Sequence, residues 1–157
     1  MKKTNALRLL GQKKIPYETL EYEYNEENLS VKKIAGDNYL EVDNVFKTLV
    51  AKGDKTGIIV AVISGSETLN LKALAKVSKN KKIALIAVKE LLGITGYIRG
   101  GCSPIGMKKN FPVFLDARAN DFEEVYVNAG VRGLLVKLKI ADLIKATNGT
   151  VAEISAD

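Results

Sequence analysis

A chain of 157 residues without a polar linker predicts a single domain over 1–157, and its 24 Lys and Arg against 18 Asp and Glu, net +6, favour a polyanionic partner. Histidine is absent, which excludes Ser-His-Asp and Cys-His nucleophile systems and the common His-containing zinc sites within this chain. Cys102 is the lone cysteine, no apolar run reaches membrane length and no signal-peptide core is present, so a soluble, cytoplasmic protein without disulfide, metal or cofactor is expected.

Thr4 is placed to cap a helix that turns Ala6, Leu7 and Leu10 inward, with Gly11 to end it. Residues 17–24 alternate as a half-exposed strand, one face reading Glu18, Leu20, Tyr22 and Tyr24. Tyr22 serves there either as edge packing or as the wall of a pocket. After a polar break at 25–28, Ser30 caps a short helix with Val31, Ile34 and Ala35 inward. Residues 45–50 and 58–63 read as a hairpin closed between Gly53 and Gly57, where Gly53 only turns the chain. Lys47 lies inside the first strand, and a buried lysine is rare unless paired or functional. Sharing a face with Val45 and Leu49, it either points to a pocket or snorkels to solvent.

Asn70 caps a helix with Leu71, Leu74, Ala75 and Val77 inward, followed by the basic run Lys79, Lys81 and Lys82. Residues 83–87 read as a buried strand and 88–92 as a short helix leading into a glycine-dense stretch, 95–106, with Lys108 and Lys109 beyond it. Gly96, Gly100, Gly101 and Gly106 surround one Ser103-Pro104 step. That composition predicts stiff main chain whose amides face carbonyl or phosphate oxygens, or else a tight connection between strands. Strands at 111–115, 124–127 and 134–138, a helix at 141–147 and a last strand at 151–154 complete a mixed, largely antiparallel α+β domain. GxGxxG, P-loop and metal-site spacings are missing. Cys102 has no histidine to activate it and reads as a packed loop residue.

Three segments carry a resemblance: Val45-Phe46-Lys47-Thr48-Leu49, the stretch 95–106 with its Gly100-Gly101-Cys102-Ser103-Pro104-Ile105-Gly106 core, and Tyr126-Val127-Asn128-Ala129-Gly130-Val131-Arg132-Gly133-Leu134. Together, in this order, they resemble the YbaK/EbsC family, free-standing relatives of the editing domain inserted in bacterial prolyl-tRNA synthetase. The resemblance implies a mixed, largely antiparallel, barrel-like sheet flanked by helices, and an activity that clears misacylated tRNA, most similar to the subgroup acting on Cys-tRNA(Pro). By position it makes Lys47 the essential lysine, Phe46 and Thr48 its pocket neighbours, Tyr22 a pocket wall, and Gly100, Gly101, Cys102, Ser103, Pro104 and Gly106 the substrate loop. It also implies attack by the substrate's own thiol, which would serve a chain without histidine. The aminoacyl-tRNA would meet Lys79, Lys81, Lys82, Lys108 and Lys109, with prolyl-tRNA synthetase as a partner and neither membrane nor metal involved. Cys102, Asn128-Ala129 and Leu135 depart from the family pattern and bear on the preference among Cys, Ala and Ser. A deacylase for Ala- or Ser-tRNA and a non-catalytic tRNA-binding or regulatory member are the alternatives.

Overall fold

In a computed structural model that describes residues 3–156, capping side chains set most of the helix starts. The Thr4 hydroxyl accepts from the Leu7 amide and opens α1 (Asn5–Gln12), which buries Ala6, Leu7 and Leu10; Gly11 lies within the helix and Lys13 caps it. The first strand, β1 (Glu18–Glu21), is shorter than the alternation that predicts it. Its partner chain turns away at Gly133, where φ is +90°, directly after the Tyr22 amide donates to the Gly133 carbonyl. Ser30 then caps α2 (Val31–Asp37), burying Ile34 and Ala35.

The hairpin forms as expected, from β2 (Phe46–Gly53) and β3 (Gly57–Ser64) in antiparallel register. After β4 (Thr68–Leu69), Asn70 caps α3 (Leu71–Ser78). Leu74, Ala75 and Ser78 form its buried stripe, which leaves Leu71 and Val77 exposed, contrary to the inward face expected of them. The expected buried strand at 83–87 is instead a short edge, β5 (Ile83–Leu85), pairing only with residues 51–53. Among the described residues no strand pairs with its outer side, so its side chains stay accessible. Helix α4 (Val88–Thr95) runs to Gly96, which takes the left-handed C-cap conformation at φ +87°. Beyond the glycine loop come β6 (Val113–Asp116), β7 (Glu124–Asn128), β8 (Leu134–Lys139), α5 (Ile140–Thr147), β9 (Thr150–Ala152) and β10 (Ser155–Ala156). One terminal strand was expected where two occur. The buried Asp116 carboxylate accepts from the Ile154 and Ser155 amides and the Ser155 hydroxyl, which bends the chain there.

The larger sheet has the order β5-β2-β3-β6-β9, with β3-β6 and β6-β9 parallel; β1-β8-β7 is antiparallel, and β4 pairs with β10. A parallel bridge between Val45 and Tyr126 joins the two main sheets at one corner, giving the partly closed, barrel-like form expected. The main core, with Phe46, Val62, Val127 and Leu138, lies on one face of β2 and β3, and a second, with Ala51, Ile63 and Leu74, lies under α3. A third cluster of Tyr22, Ile34, Ala35, Val45 and Leu135 packs under α2. The candidate site opens at its edge.

Candidate active site

Side chains alternate along β2, so Phe46 enters the main core and stacks edge-on against Phe122, with ring centroids 6.3 Å apart. Lys47 therefore projects to the opposite face, across from Ile63 and with Val45 and Leu49 on either side. There β2, the start of α2 and the glycine loop enclose a cavity of about 390 Å³. Leu29, Ile34 and Leu135 give it apolar walls, while Lys47, Lys32, Arg99 and Asn128 bring polar groups to it. Burial lowers the Lys47 pKa from the usual lysine value, and the neighbouring Lys32 lowers it further; the Glu67 carboxylate opposes both. The Tyr22 hydroxyl is shifted upward, chiefly by burial.

The loop facing Lys47 is braced by its carbonyls and by the hydroxyl of Tyr97. Asn128 Nδ2 donates to the Gly100 carbonyl at 2.8 Å, Arg132 Nε to the Arg99 carbonyl at 2.9 Å, and the Gly101 amide to the Ile98 carbonyl at 2.9 Å. The buried Tyr97 hydroxyl donates to the Ile105 carbonyl at 2.6 Å, fixing the far side. The amides of Gly100 and Cys102 find no protein acceptor among the described residues, and both residues line the cavity. Gly100 has φ +83°, and a Cβ there would lie 3.0 Å from Leu29 Cδ1. Burial pushes the Cys102 thiol up to about 11 against a hydrogen bond from Thr95, so it is not a ready nucleophile at neutral pH.

Tyr22, Phe46, Lys47, Thr48, Gly100 and Cys102 thus come together around one cavity. Gly101 supports them from behind: a Cβ on it would lie 3.0 Å from the Arg132 amide nitrogen. Ser103, Pro104 and Gly106 do not line the cavity. The Ser103 hydroxyl accepts from the Ile105 amide, Pro104 faces a separate cleft beside Met107, and Gly106 packs on the main chain of Asn5 and Ala6. Lys79, Lys81 and Lys82 sit near the hairpin tip, where Lys81 and Lys82 border another groove, and Lys108 and Lys109 follow the loop. Gly53 at that tip is six residues along β2 from Lys47, or roughly 20 Å at strand rise.

Sequence reasoning missed Leu29, Lys32 and Arg99 as wall residues and Arg132 as a brace. The motif 126–134 contained Arg132, but nothing local tied it to the loop thirty residues earlier. Of the departures from the family pattern, Cys102, Asn128 and Leu135 fall on the cavity wall, whereas Ala129 is buried in the main core. Among the described residues no cluster of three or more His, Cys, Asp or Glu could hold a metal, and no helix is long and apolar enough to cross a membrane.

Residues 26–146 match the family described as the aminoacyl-tRNA editing domain. A protein of Enterococcus faecalis, EbsC, named as a candidate Cys-tRNA(Pro)/Cys-tRNA(Cys) deacylase, is 47% identical over 153 residues, covering 98% of this chain and 93% of its own. The uncharacterized YwhH of Bacillus subtilis is 23% identical over 121 residues, 77% of this chain and 76% of its own. Among solved structures, a hypothetical protein designated APE2540 superposes with a TM-score of 0.88 at 21% identity, covering 98% of this chain and 100% of its own. A candidate trans-editing enzyme for prolyl-tRNA synthetase gives 0.81 at 22% identity, with both chains fully covered. The fold and the family match are those of the aminoacyl-tRNA editing class. Within that class the chain belongs to the YbaK/EbsC family.

Proposed function

We propose that this chain is a trans-editing deacylase that removes a mischarged small amino acid from tRNA, cysteine from Cys-tRNA(Pro) foremost. The reading rests above all on the two unpaired amides, Gly100 and Cys102, held rigidly across a small cavity from Lys47. An aminoacyl ester is already activated, so its removal needs orientation, two donors for the developing oxyanion, and a nucleophile. Lys47 and Lys32 supply positive charge for the ester oxygens or the terminal phosphate.

The cysteine substrate brings its own nucleophile. Its thiol sulfur bonds to the ester carbonyl carbon, the bond from that carbon to the ribose oxygen breaks, and the ribose oxygen takes the proton the thiol releases. The amino acid leaves as a thiolactone that water opens. No histidine is required, and Cys102 takes no part, since burial pushes its thiol up to about 11 and keeps it protonated at neutral pH. The name of the EbsC relative supports cysteine as the amino acid. Leu135 and Cys102 bear on the preference among Cys, Ala and Ser, for which wall changes contribute about 1–3 kcal/mol per methylene.

Charged tRNA is cytoplasmic, and we place the activity there. Measuring deacylation of Cys-tRNA(Pro), Ala-tRNA(Pro) and Pro-tRNA(Pro) tests the proposal. Cys-tRNA(Pro) is expected to turn over fastest and Pro-tRNA(Pro) to survive. Faster loss of alanine would correct the amino acid; no turnover of any of the three would overturn the enzymatic reading in favour of a binding module.

A further inference from the structure

Strand β5 ends the larger sheet with an edge whose backbone is open. The Asp54 amide donates to the Lys82 carbonyl and the Ile86 amide to the Val50 carbonyl, both at 3.1 Å, so residues 82, 84 and 86 turn their main chain toward β2. In an antiparallel ladder the alternate residues face away, which leaves the amides and carbonyls of Ile83 and Leu85 pointing outward. Neither amide finds an acceptor among the described residues. The side chains alternate as well: Ile83 and Leu85 share one face, while Ala84, its partner Lys52 and Lys82 share the other. Leu85 is 52% exposed.

Alongside this edge, between the hairpin tip and α3, runs a groove of about 580 Å³. Lys52, Lys72, Lys81 and Lys82 line it, none of them in an ion pair among the described residues. The one acid that lines it, Asp54, is already engaged by the Lys81 and Lys82 amides. Leu71, Ala75 and Ile83 add an apolar surface, of which Leu71 is 40% exposed.

We infer that β5 and this groove bind an extended acidic segment of another protein, which joins the sheet as an added strand. Such a segment satisfies the outward amides and carbonyls of Ile83 and Leu85. With alternating residues, it sets apolar side chains beside Ile83 and Leu85 and carboxylates beside Lys52 and Lys82. A second copy of this chain fits poorly, because pairing two β5 edges would bring these lysines against their counterparts; lysines commonly guard edges in this way. RNA fits less well too, since the groove has neither an arginine to grip phosphate in a fork nor an aromatic ring on which a base could stack. None of the groove residues, nor Leu85, lines the Lys47 cavity, so the inference stands apart from the deacylase reading.

The test uses two labelled peptides of equal composition, one alternating valine and glutamate and one with the same residues in two blocks, together with an RNA minihelix. The alternating peptide is expected to bind the wild-type chain best and to slow hydrogen exchange at the Ile83 and Leu85 amides. Lys81→Glu with Lys82→Glu is expected to abolish its binding. Leu85→Pro removes an outward donor where an edge strand tolerates proline, and is expected to weaken binding about tenfold. Exchange in the wild type keeps the test decisive should that variant fail to fold. Equal binding of the two peptides, binding of neither, or unchanged exchange at Ile83 and Leu85 overturns the inference. Tighter binding of the minihelix, lost with Lys81→Glu and Lys82→Glu, would make the groove an RNA surface and overturn it as well. So would self-association of the chain that Leu85→Pro abolishes, which would make a second copy the occupant.

Discussion

Burial and Lys32 both act to lower the Lys47 pKa, so folding holds a charged group where charge is disfavoured. The resulting cost to stability is fully present below the lowered folded pKa. It fades as pH rises from there toward the unfolded value, because the unfolded chain then binds more protons. Lys47→Met removes that cost while keeping the length of the side chain. The variant is expected to melt at or slightly above the wild-type temperature, to lose deacylation, and to approach wild-type stability as pH rises through that window. Half-exposure of the lysine keeps the stability effect small. Calorimetry across pH with a parallel activity assay checks both parts; an unfolded variant with normal activity per folded molecule would make Lys47 structural. Cys102→Ala makes the complementary case, since a thiol pushed up to about 11 is not expected to attack at neutral pH. Turnover should survive that replacement, and its loss would make Cys102 a participant.

The hairpin tip shows an element whose purpose the local sequence conceals. Gly53 reads as a mere turn residue, yet a Cβ there would lie 2.3 Å from the Asn80 side chain. Asn80 accepts from the Lys55 and Thr56 amides and donates to the Thr56 and Ser78 hydroxyls, four bonds that tie the tip to the end of α3. Asn80→Ala is therefore expected to cost about 2–4 kcal/mol, read by denaturant melts. Gly53→Val should lower the melting temperature and leave activity per folded molecule near native. Gly101→Val should lower activity per folded molecule, because it pushes the loop off Val131 and Arg132. Equal effects on that activity would remove the special role of the loop. Helix caps at Thr4, Ser30 and Asn70, and the hairpin itself, were legible because their signals lie within a few residues. The motif residues also led to the cavity. The edge status of β5, the Asn80 clamp and the Arg132 brace were not legible, since each depends on contacts between residues far apart in sequence.

At the scale of the molecule, positive charge gathers at both ends of β2. Lys32 and Arg99 stand at the cavity mouth, while Lys52, Lys72, Lys81 and Lys82 border a groove of about 580 Å³ at the hairpin tip. Asp54 lies in that groove, but its carboxylate accepts from the Lys81 and Lys82 amides at 2.9 and 3.1 Å. A tRNA whose 3′ end enters the cavity would displace counterions wherever these groups meet its phosphates. Affinity should then fall with salt by roughly 0.7–0.9 log units per contact for each log unit of salt, and Lys81→Glu with Lys82→Glu should flatten that slope if the stem crosses the tip. The cavity itself has room for the aminoacyl end alone, so discrimination among tRNA bodies is expected to be poor in the isolated chain. Prolyl-tRNA synthetase, the partner that the family resemblance implies, would supply it. Titrating aminoacyl-tRNA analogues with different bodies over a salt series, with and without the synthetase, checks both expectations. A flat salt response would remove the electrostatic contribution, and strong selection of one body by the chain alone would require a readout surface beyond the grooves described.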